Sequence, residues 1–400
     1  MPTSTFLHLA VALEGAGWHP TAWREPEARP SELFSAAYWT DLVGQADAAS
    51  LDFVTIEDGL GLQSDRAEGP DDRLDRVRGR LDAVLVAARV APLTAGVGLV
   101  PTATTTHPEP FHVSKSIATL DFVSQGRAGW RAQISARAVE AAHFGRRTLP
   151  TFRPGAVQDD PAIRQVVADL FEEAADFIEV VRRLWDSWED DAEIRDAPTG
   201  RFVDREKLHY IDFDGRWFSV RGPSITPRPP QGQPVVAVLA HGAPAYELAA
   251  RSADVVFVTP HDAGSAARIV AEVRAHEAAV GRREPLKVFA DLLVHLDRDA
   301  PSAAGRRERL DERYGRTWIS DAETFVGTPA GLADRLAEWH EAGVEGFRLR
   351  PATLPRDLQA ITGQLVPELR RRGLFRDGYE QATLRGHLGL GRPANRYAIA

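Results

Sequence analysis

The chain has 400 residues, of which 44% are hydrophobic and 26% are charged, and these globular values exclude a disordered or fibrous protein. A net charge of -9 argues against a protein whose main task is to bind nucleic acid. Cysteine is absent, which excludes disulfides, zinc–thiolate sites and a cysteine nucleophile.

The first apolar run, from Phe6 to Leu13, is predicted to be a strand. It is short, contains His8 and follows no basic cluster, so it lacks the pattern of a signal peptide. No apolar run approaches the roughly 18 residues that a membrane helix needs. We therefore expect a soluble, cytoplasmic protein that does not enter a membrane.

Three further βα units follow, because short β-rich runs alternate with helical ones. Strands are predicted at 52–57, 97–100 and 128–134. Helices are predicted at 31–49, with Ser31 as the N-cap, at 73–89 and at 109–123. This order is typical of a parallel sheet.

Regular alternation stops after the fourth strand, and residues 141–234 are predicted to be an insertion that covers the active site. Its longest element is a helix from Pro161 to Trp188, whose apolar residues keep the spacing of one buried face. The dipeptide Asp214-Gly215 predicts a hairpin within 209–220.

Alternation then resumes. Strands are predicted at 235–239, 255–259, 286–296 and 346–349, with helices at 243–252, 263–280, 329–341 and 357–372. Eight such units favour a single α/β domain over residues 1–400, a (β/α)8 TIM barrel; a doubly wound open sheet is the alternative. The C-terminal tail, 373–400, is too polar for a core, and we predict that it covers surface.

In such a barrel the active site lies at the C-terminal ends of the strands, so the loops after the strands hold the candidate residues. After strand one, Trp18 and His19 form either an aromatic plug or a substrate wall with a proton-transfer imidazole. After strand two, Asp58 either caps the next turn or accepts hydrogen bonds from a bound heterocycle.

Strands three and four also end in polar residues. Thr104, Thr106 and His107 follow strand three, either as a plain turn or as ligand contacts. No metal site is predicted there, because the spacing of His107 and His112 does not place both imidazoles on the same face of a helix or of a strand. In strand four, Arg131 needs an anionic partner inside a barrel, whether a structural carboxylate or a ligand.

The loop after strand five, His241-Gly242-Ala243, opens a helix whose first amides can bind a phosphate. Any strand-to-helix turn would give a similar signal. The chain has no Gly-x-x-x-x-Gly-Lys-Ser/Thr loop and no Gly-x-Gly-x-x-Gly at a helix start.

Seven longer segments form one series along the chain. They are HPTAWR (19–24), THPEPFHVSKSIATLDFVSQGRAGW (106–130), AAHFG (141–145), EEAADFIEVVRRLWDSWEDDA (172–192), FSVRGPSITPRPPQGQPVV (218–236), FVGTPAGLADRLAEW (325–339) and LGLGRPANRY (388–397). In this order they resemble the bacterial luciferase-like flavin monooxygenases, and more narrowly the branch with nitrilotriacetate, EDTA and dibenzothiophene-sulfone monooxygenases.

The resemblance implies a two-component monooxygenase on a (β/α)8 barrel. Such an enzyme takes reduced FMN from a separate, transiently bound flavin reductase, adds O2 to form a flavin peroxide, and oxygenates a small organic substrate. It also implies a homodimer, with no membrane and no nucleic acid as partners. The implied cofactor contacts are Asp58, Thr104, Thr106 and Gln133 for the ring, and His241, Gly242 and Ala243 for the phosphate.

On the substrate side, the resemblance and the strand-end positions give two sets of candidates. His19, His143 and Arg131 are the catalytic candidates. His8, Trp18 and Trp130 are the expected substrate contacts, with the aromatic rings keeping water out.

The sequence departs from the family pattern at three flavin contacts. Arg131 stands where an asparagine is usual, Gly242 replaces the serine of the phosphate loop, and Leu170-Phe171 replaces a basic residue followed by tyrosine. Two alternatives therefore stay open: a deazaflavin-dependent hydride-transfer oxidoreductase and a non-catalytic flavin-fold subunit.

Overall fold

The computed structural model describes residues 6–64, 66, 69–151 and 160–398. Eight parallel strands form a closed barrel, in which each strand pairs with the next around the ring and the last pairs with the first. They are β1 (His8–Leu13), β2 (Phe53–Ile56), β3 (Gly98–Thr104), β4 (Gly129–Gln133), β5 (Val235–Leu239), β6 (Val255–Val258), β7 (Lys287–Leu296) and β8 (Gly346–Pro351). The predicted (β/α)8 barrel is confirmed, and the open sheet is wrong.

Helices connect the strands and form the outer layer of the barrel. They are α1 (Ala36–Ala48), α2 (Ala83–Val90), α3 (Pro110–Val123), α4 (Ala138–Ala142), α5 (Pro161–Asp186), α6 (Ala243–Ser252), α7 (Ala263–Ala279), α8 (Ala300–Tyr314), α9 (Pro329–Glu341), α10 (Arg356–Ala360), α11 (Val366–Arg371) and α12 (Leu384–His387). None of the helices in these described ranges has the length and apolar character needed to cross a membrane.

The start of the first helix differs from the prediction. Ser31 is not the N-cap, because Pro30–Glu32 forms a 3₁₀ turn. The helix begins at Ala36, and the Ser35 hydroxyl accepts the amide of Tyr38 at 3.3 Å. The sequence offers two serines near this start, and only the second follows the turn.

Most of the helix predicted at 73–89 is also wrong, since α2 begins only at Ala83. The residues before it are held in an irregular path by side-chain bonds. Arg78 donates to the carbonyl of Gln63 at 2.5 Å, and the indole of Trp23 donates to the carbonyl of Asp75 at 3.0 Å. Leu74 is 97% exposed, and Val77 and Leu81 are only partly buried against the core, so this stretch has no fully buried apolar face that would stabilise a helix.

Two elements of the barrel's second half were not predicted. The buried face of α8 includes Arg306, so a search for apolar periodicity passes over the helix. A short strand, Glu323–Gly327, pairs with the second half of β7 outside the ring.

The segment after β4 contains α5, which lies against α3; the indole of Trp185 donates to the carbonyl of Ser114 at 3.0 Å. The predicted hairpin is confirmed, with Phe213–Asp214 paired to Ser219–Val220. A second hairpin joins Glu193–Asp196 to Arg201–Val203. Residues 152–159 of the predicted insertion lie outside the described residues.

The C-terminal tail does more than cover surface, and that prediction is wrong in part. Leu384 and Leu388 are fully buried and pack with Phe53, Phe257 and Phe289. These residues lie at the N-terminal ends of the strands, so α12 closes the bottom of the barrel. Phe375 of the tail is also buried, in the main core cluster, so a few apolar residues anchor a segment that is polar on average.

Candidate active site at the barrel mouth

A cavity of about 380 Å³ lies at the C-terminal ends of the barrel strands, within the size range of small-molecule pockets. Loops after β1 and β2, Gln63 and residues 76–80, and the ends of β4, β5 and β8 form its wall. The lining residues with polar or aromatic side chains are Glu14, Trp18, His19, Trp23, Glu57, Asp58, Gln63, Arg76, Arg80, Arg131, Gln133, Asp321 and Arg350. We call this space the mouth cavity.

Charged side chains fill the barrel interior directly below the mouth cavity. Glu57 on the β2 side accepts a hydrogen bond from Arg131 at 2.8 Å and another from Arg348 at 3.2 Å. Burial raises the pKa of Glu57, but these two guanidinium groups outweigh burial and hold the pKa below its usual value. Glu57 is therefore ionised.

A second carboxylate continues this network. Asp291 on β7 is fully buried and accepts hydrogen bonds from Arg348 and Arg350. Arg350 also reaches Asp321, whose pKa it lowers to about 2 against the opposing effect of burial. The interior of the mouth thus carries paired charges instead of an apolar core.

His19 lies in the wall of the mouth cavity and is almost fully buried. Its Nδ1 accepts the amide of Thr21 at 3.2 Å, so the ring proton is on Nε2, which lies 3.3 Å from Asp311. Burial lowers the pKa of His19, and the opposing effect of Asp311 is smaller. The ring is therefore a neutral imidazole held in one tautomer.

Asp58 and Gln133 form a wall shared by the mouth cavity and a second cavity of about 300 Å³. The two oxygens of Asp58 accept the amides of Gly59 at 2.7 Å and Ala83 at 2.9 Å, so this residue also caps the start of α2. Burial raises the pKa of Asp58. Asp58 therefore caps the start of α2, as one of the two alternatives predicts, and it also lines both cavities.

Thr104, the last residue of β3, and Thr106 in the loop after it take different places. Thr104 lines the second cavity, and its hydroxyl accepts the amide of Thr106 at 3.2 Å. The hydroxyl of Thr106 is buried and accepts the amide of Ser135 at 2.9 Å. Thr106 thereby braces the loop, whereas Thr104 faces open space.

The loop between β5 and α6 offers few donors for an anion. Pro244 has no N–H, and the amides of Ala245 and Tyr246 both bond to the carbonyl of Gly242. The amides of Gly242 and Ala243 remain, and a Cβ added at Gly242 would meet no atom within 4 Å. The backbone here is accessible to a ligand.

His241 at the start of this loop is exposed, and its ring is held on both sides. Nδ1 lies 3.0 Å from the hydroxyl of Thr259, and Nε2 lies 3.5 Å from Asp321. Through Asp321 and Arg350, the loop is connected to the charge network of the barrel interior.

Of the expected flavin contacts, Thr106, His241, Gly242 and Ala243 line neither cavity. Three of the expected catalytic and substrate residues also lie away from the mouth cavity. His8 is at the start of β1, at the opposite end of the barrel, where it bonds Asp52 at 3.0 Å. Trp130 is fully buried against Phe177 in the layer between β4 and α5. His143 is exposed and lines neither of the two cavities. Their expected roles do not fit these places.

Sequence reasoning missed several residues of the mouth cavity. Glu14, Gln63 and Arg80 lie in irregular segments, where no periodicity marks an inward-facing side chain. Arg348 and Arg350 alternate along β8, and this spacing could have predicted that both face the barrel interior.

Comparisons with known proteins agree with this architecture. A family model for luciferase-like monooxygenases matches residues 16–310. Component A of nitrilotriacetate monooxygenase from Aminobacter aminovorans is 33% identical to this chain, with 98% of each protein covered. Dibenzothiophene-sulfone monooxygenase from Rhodococcus erythropolis is 28% identical, covering 92% of this chain and 93% of that protein.

Among solved structures, EDTA monooxygenase from Chelativorans sp. BNC1 matches with a TM-score of 0.80 and 24% identity. The match covers 97% of this chain and 99% of that one. At this identity the likeness concerns the fold.

Proposed function

We propose, from the premise that this chain belongs to the luciferase-like monooxygenase family, that it is the oxygenating component of a two-component flavin system. In the net reaction, O2 and reduced FMN convert a small organic substrate into its oxygenated product, with water and oxidised FMN as the other products. One oxygen atom enters the product, and two electrons come from the flavin. The name component A, carried by the nitrilotriacetate relative, supports a separate reductase as the source of reduced flavin.

The observation that carries this proposal is the pair of adjoining cavities at the strand ends, which share Asp58 and Gln133 as their wall. The residues present fit a flavin ring, because Asp58, Gln133 and Thr104 offer hydrogen-bonding groups beside mostly apolar space. The open backbone at Gly242 and Ala243, with His241, fits the phosphate. Thr106 contributes by holding the loop after β3.

Bound reduced flavin would supply the electrons and the activation of O2. The protein's part is to position the reactants and to exclude water. Trp18 and Trp23 cover one side of the mouth cavity, and both indole N–H groups are bonded to backbone carbonyls, so their rings are fixed. Of the expected proton-transfer histidines, His19 lines the cavity, and we assign this role to it.

The partners proposed for this chain are the reductase, a small-molecule substrate and a second copy of the chain. Apolar side chains are exposed on and near α2 and α3, where a homodimer contact would bury them: Leu85, Leu93, Phe122 and Val123. We also propose a cytoplasmic location, where a reductase supplies reduced FMN.

The two alternatives are not favoured, because the nitrilotriacetate and dibenzothiophene-sulfone relatives are both named monooxygenases. A rapid-mixing experiment tests the choice directly. The protein with reduced FMN is mixed with oxygenated buffer, and flavin reoxidation is compared with that of free reduced FMN. We expect a protein-dependent change in the reoxidation rate together with O2 uptake. Turnover of a reduced deazaflavin without O2 uptake would overturn the proposal.

A further inference from the structure

Arg131 has hydrogen-bonding capacity that no described residue uses. Its Nη1 makes three bonds, to Glu57 at 2.8 Å, Gln133 at 2.9 Å and Thr102 at 3.0 Å. Its Nη2 makes none within the described ranges, although the residue is only 6% exposed. Since Arg131 lines the mouth cavity, these unused N–H groups are available to a molecule bound there.

The carboxylates around the cavity, in contrast, are already engaged. Glu57 bonds two arginines, Asp321 bonds Arg350, and both oxygens of Asp58 accept backbone amides. Glu14 accepts two hydrogen bonds from Arg80, from Nε at 3.1 Å and from Nη2 at 2.8 Å. Each of these carboxylates thus already has a protein donor, whereas Nη2 of Arg131 has no protein acceptor within the described ranges.

The neighbouring buried arginines are, in contrast, fully paired. Arg348 and Arg350 both bond Asp291, and Arg350 also bonds Asp321. Together with Glu57, these carboxylates balance the charges of the three guanidinium groups. A ligand at this wall is therefore indicated by Nη2 of Arg131, which lacks an acceptor within the described ranges, and not by a net charge.

We propose that the mouth cavity binds a carboxylate group of the substrate through Arg131, so that the substrate class is small organic acids. The Nη2 group suits this task, because a hydrogen bond from a charged N–H to a carboxylate oxygen is stronger than one between neutral groups. Arg80, whose Nη1 makes no hydrogen bond within the described ranges, is the second donor at the same wall. The inference rests on the proposed function only in taking the mouth cavity as the substrate side.

The test is calorimetric titration of the flavin-free protein with succinate and citrate, and with the neutral diamide of succinate as the matched probe. We expect the two acids to bind and the diamide not to bind. In Arg131→Gln, the acids should bind roughly tenfold more weakly or worse, since a hydrogen bond to a charged group is lost. Equal binding of succinate and its diamide, or no binding of either acid, would overturn the proposal.

Removing Arg131 alone leaves Glu57 with fewer partners, and the variant could fold poorly. The double variant E57Q/R131Q removes both charges of the pair and avoids an unpaired buried carboxylate. Arg80→Gln, at a partly exposed position, tests the second donor. We expect weaker succinate binding in both variants, and unchanged affinity in both would contradict the assignment. Because no flavin is present, this result is independent of whether reduced FMN binds.

Discussion

His19 and His295 are neighbouring imidazoles near the mouth cavity, with ring centroids 6.3 Å apart. His295 is almost completely buried, and its Nδ1 has no hydrogen-bond partner within the described part of the chain. Burial lowers the pKa of both rings below the ordinary 6.5, and that of His295 far below. Both rings are therefore neutral in the folded protein, whereas in the unfolded chain they take up protons as the pH falls through their ordinary pKa.

This difference predicts a loss of stability in mild acid. The unfolded state binds more protons below the ordinary histidine pKa, so the free energy of unfolding decreases as the pH falls. In His295→Leu, the loss between about pH 7.5 and about pH 5.5 should be smaller by about 1 kcal/mol than in the wild type. Urea titrations at the two pH values measure it.

His143→Leu is the matched control, because His143 is exposed. Its stability should follow the wild-type pH dependence. If His295→Leu loses as much stability in acid as the wild type does, the buried imidazole does not carry the effect.

At the residue scale, the sequence was sufficient to predict that four site residues lie near one another, because all four belong to strand ends: Asp58, His19, Arg131 and Gln133. It could not say which of two neighbours on a strand faces the interior. Trp130 and Arg131 point to opposite faces of β4, and the pairing with β3 and β5 decides which one enters the barrel. The same limit applies to the unused donors of Arg131, which only the surrounding contacts reveal.

At the scale of elements, α12 has the clearest energetic role, because it closes the bottom of the barrel. Leu384 is fully buried there against Phe53 and Val100. Truncation of the Leu384 side chain would leave a cavity that the rigid strand ends cannot fill. The tail is therefore part of the fold's core and stabilises the end opposite the proposed site.

Leu384→Ala should lower the free energy of unfolding by about 2–5 kcal/mol, the usual cost of a large-to-small change in a core. Leu85→Ala, at a position 70% exposed, should change it by less than about 0.5 kcal/mol in the monomer. Urea unfolding at low protein concentration compares the two variants. Equal, small effects would show that the tail does not close the barrel.

The elements that the sequence missed share a physical reason. On α8, Arg306 occupies the buried face because Asp357 accepts its guanidinium, so a polar residue stands where periodicity requires an apolar one. The irregular segment before α2 contains helix-forming residues, yet its arginines bond distant carbonyls instead of facing solvent along a helix. Both outcomes depend on partners far away in the chain.

At the scale of the whole molecule, the barrel has two different ends. Phenylalanines and leucines fill the bottom, whereas paired charges and two adjoining cavities occupy the mouth. The eight-strand pattern was sufficient to predict the barrel and the end that holds the candidate site. The cavities were beyond prediction, because their walls come from loops whose paths tertiary contacts determine.

The central claim is that this mouth binds reduced flavin, and an anaerobic calorimetric titration with reduced FMN tests it most directly. Two variants accompany the wild type. Asp58→Ala removes a carboxylate from the cavity wall. Asp262→Ala is the matched control, because it also removes an aspartate that caps a helix, but at an exposed position. We predict saturable binding of one flavin per chain in the wild type and in Asp262→Ala, and roughly tenfold weaker binding in Asp58→Ala. Absence of saturable binding by the wild type at high micromolar FMN, reduced or oxidised, would contradict the account.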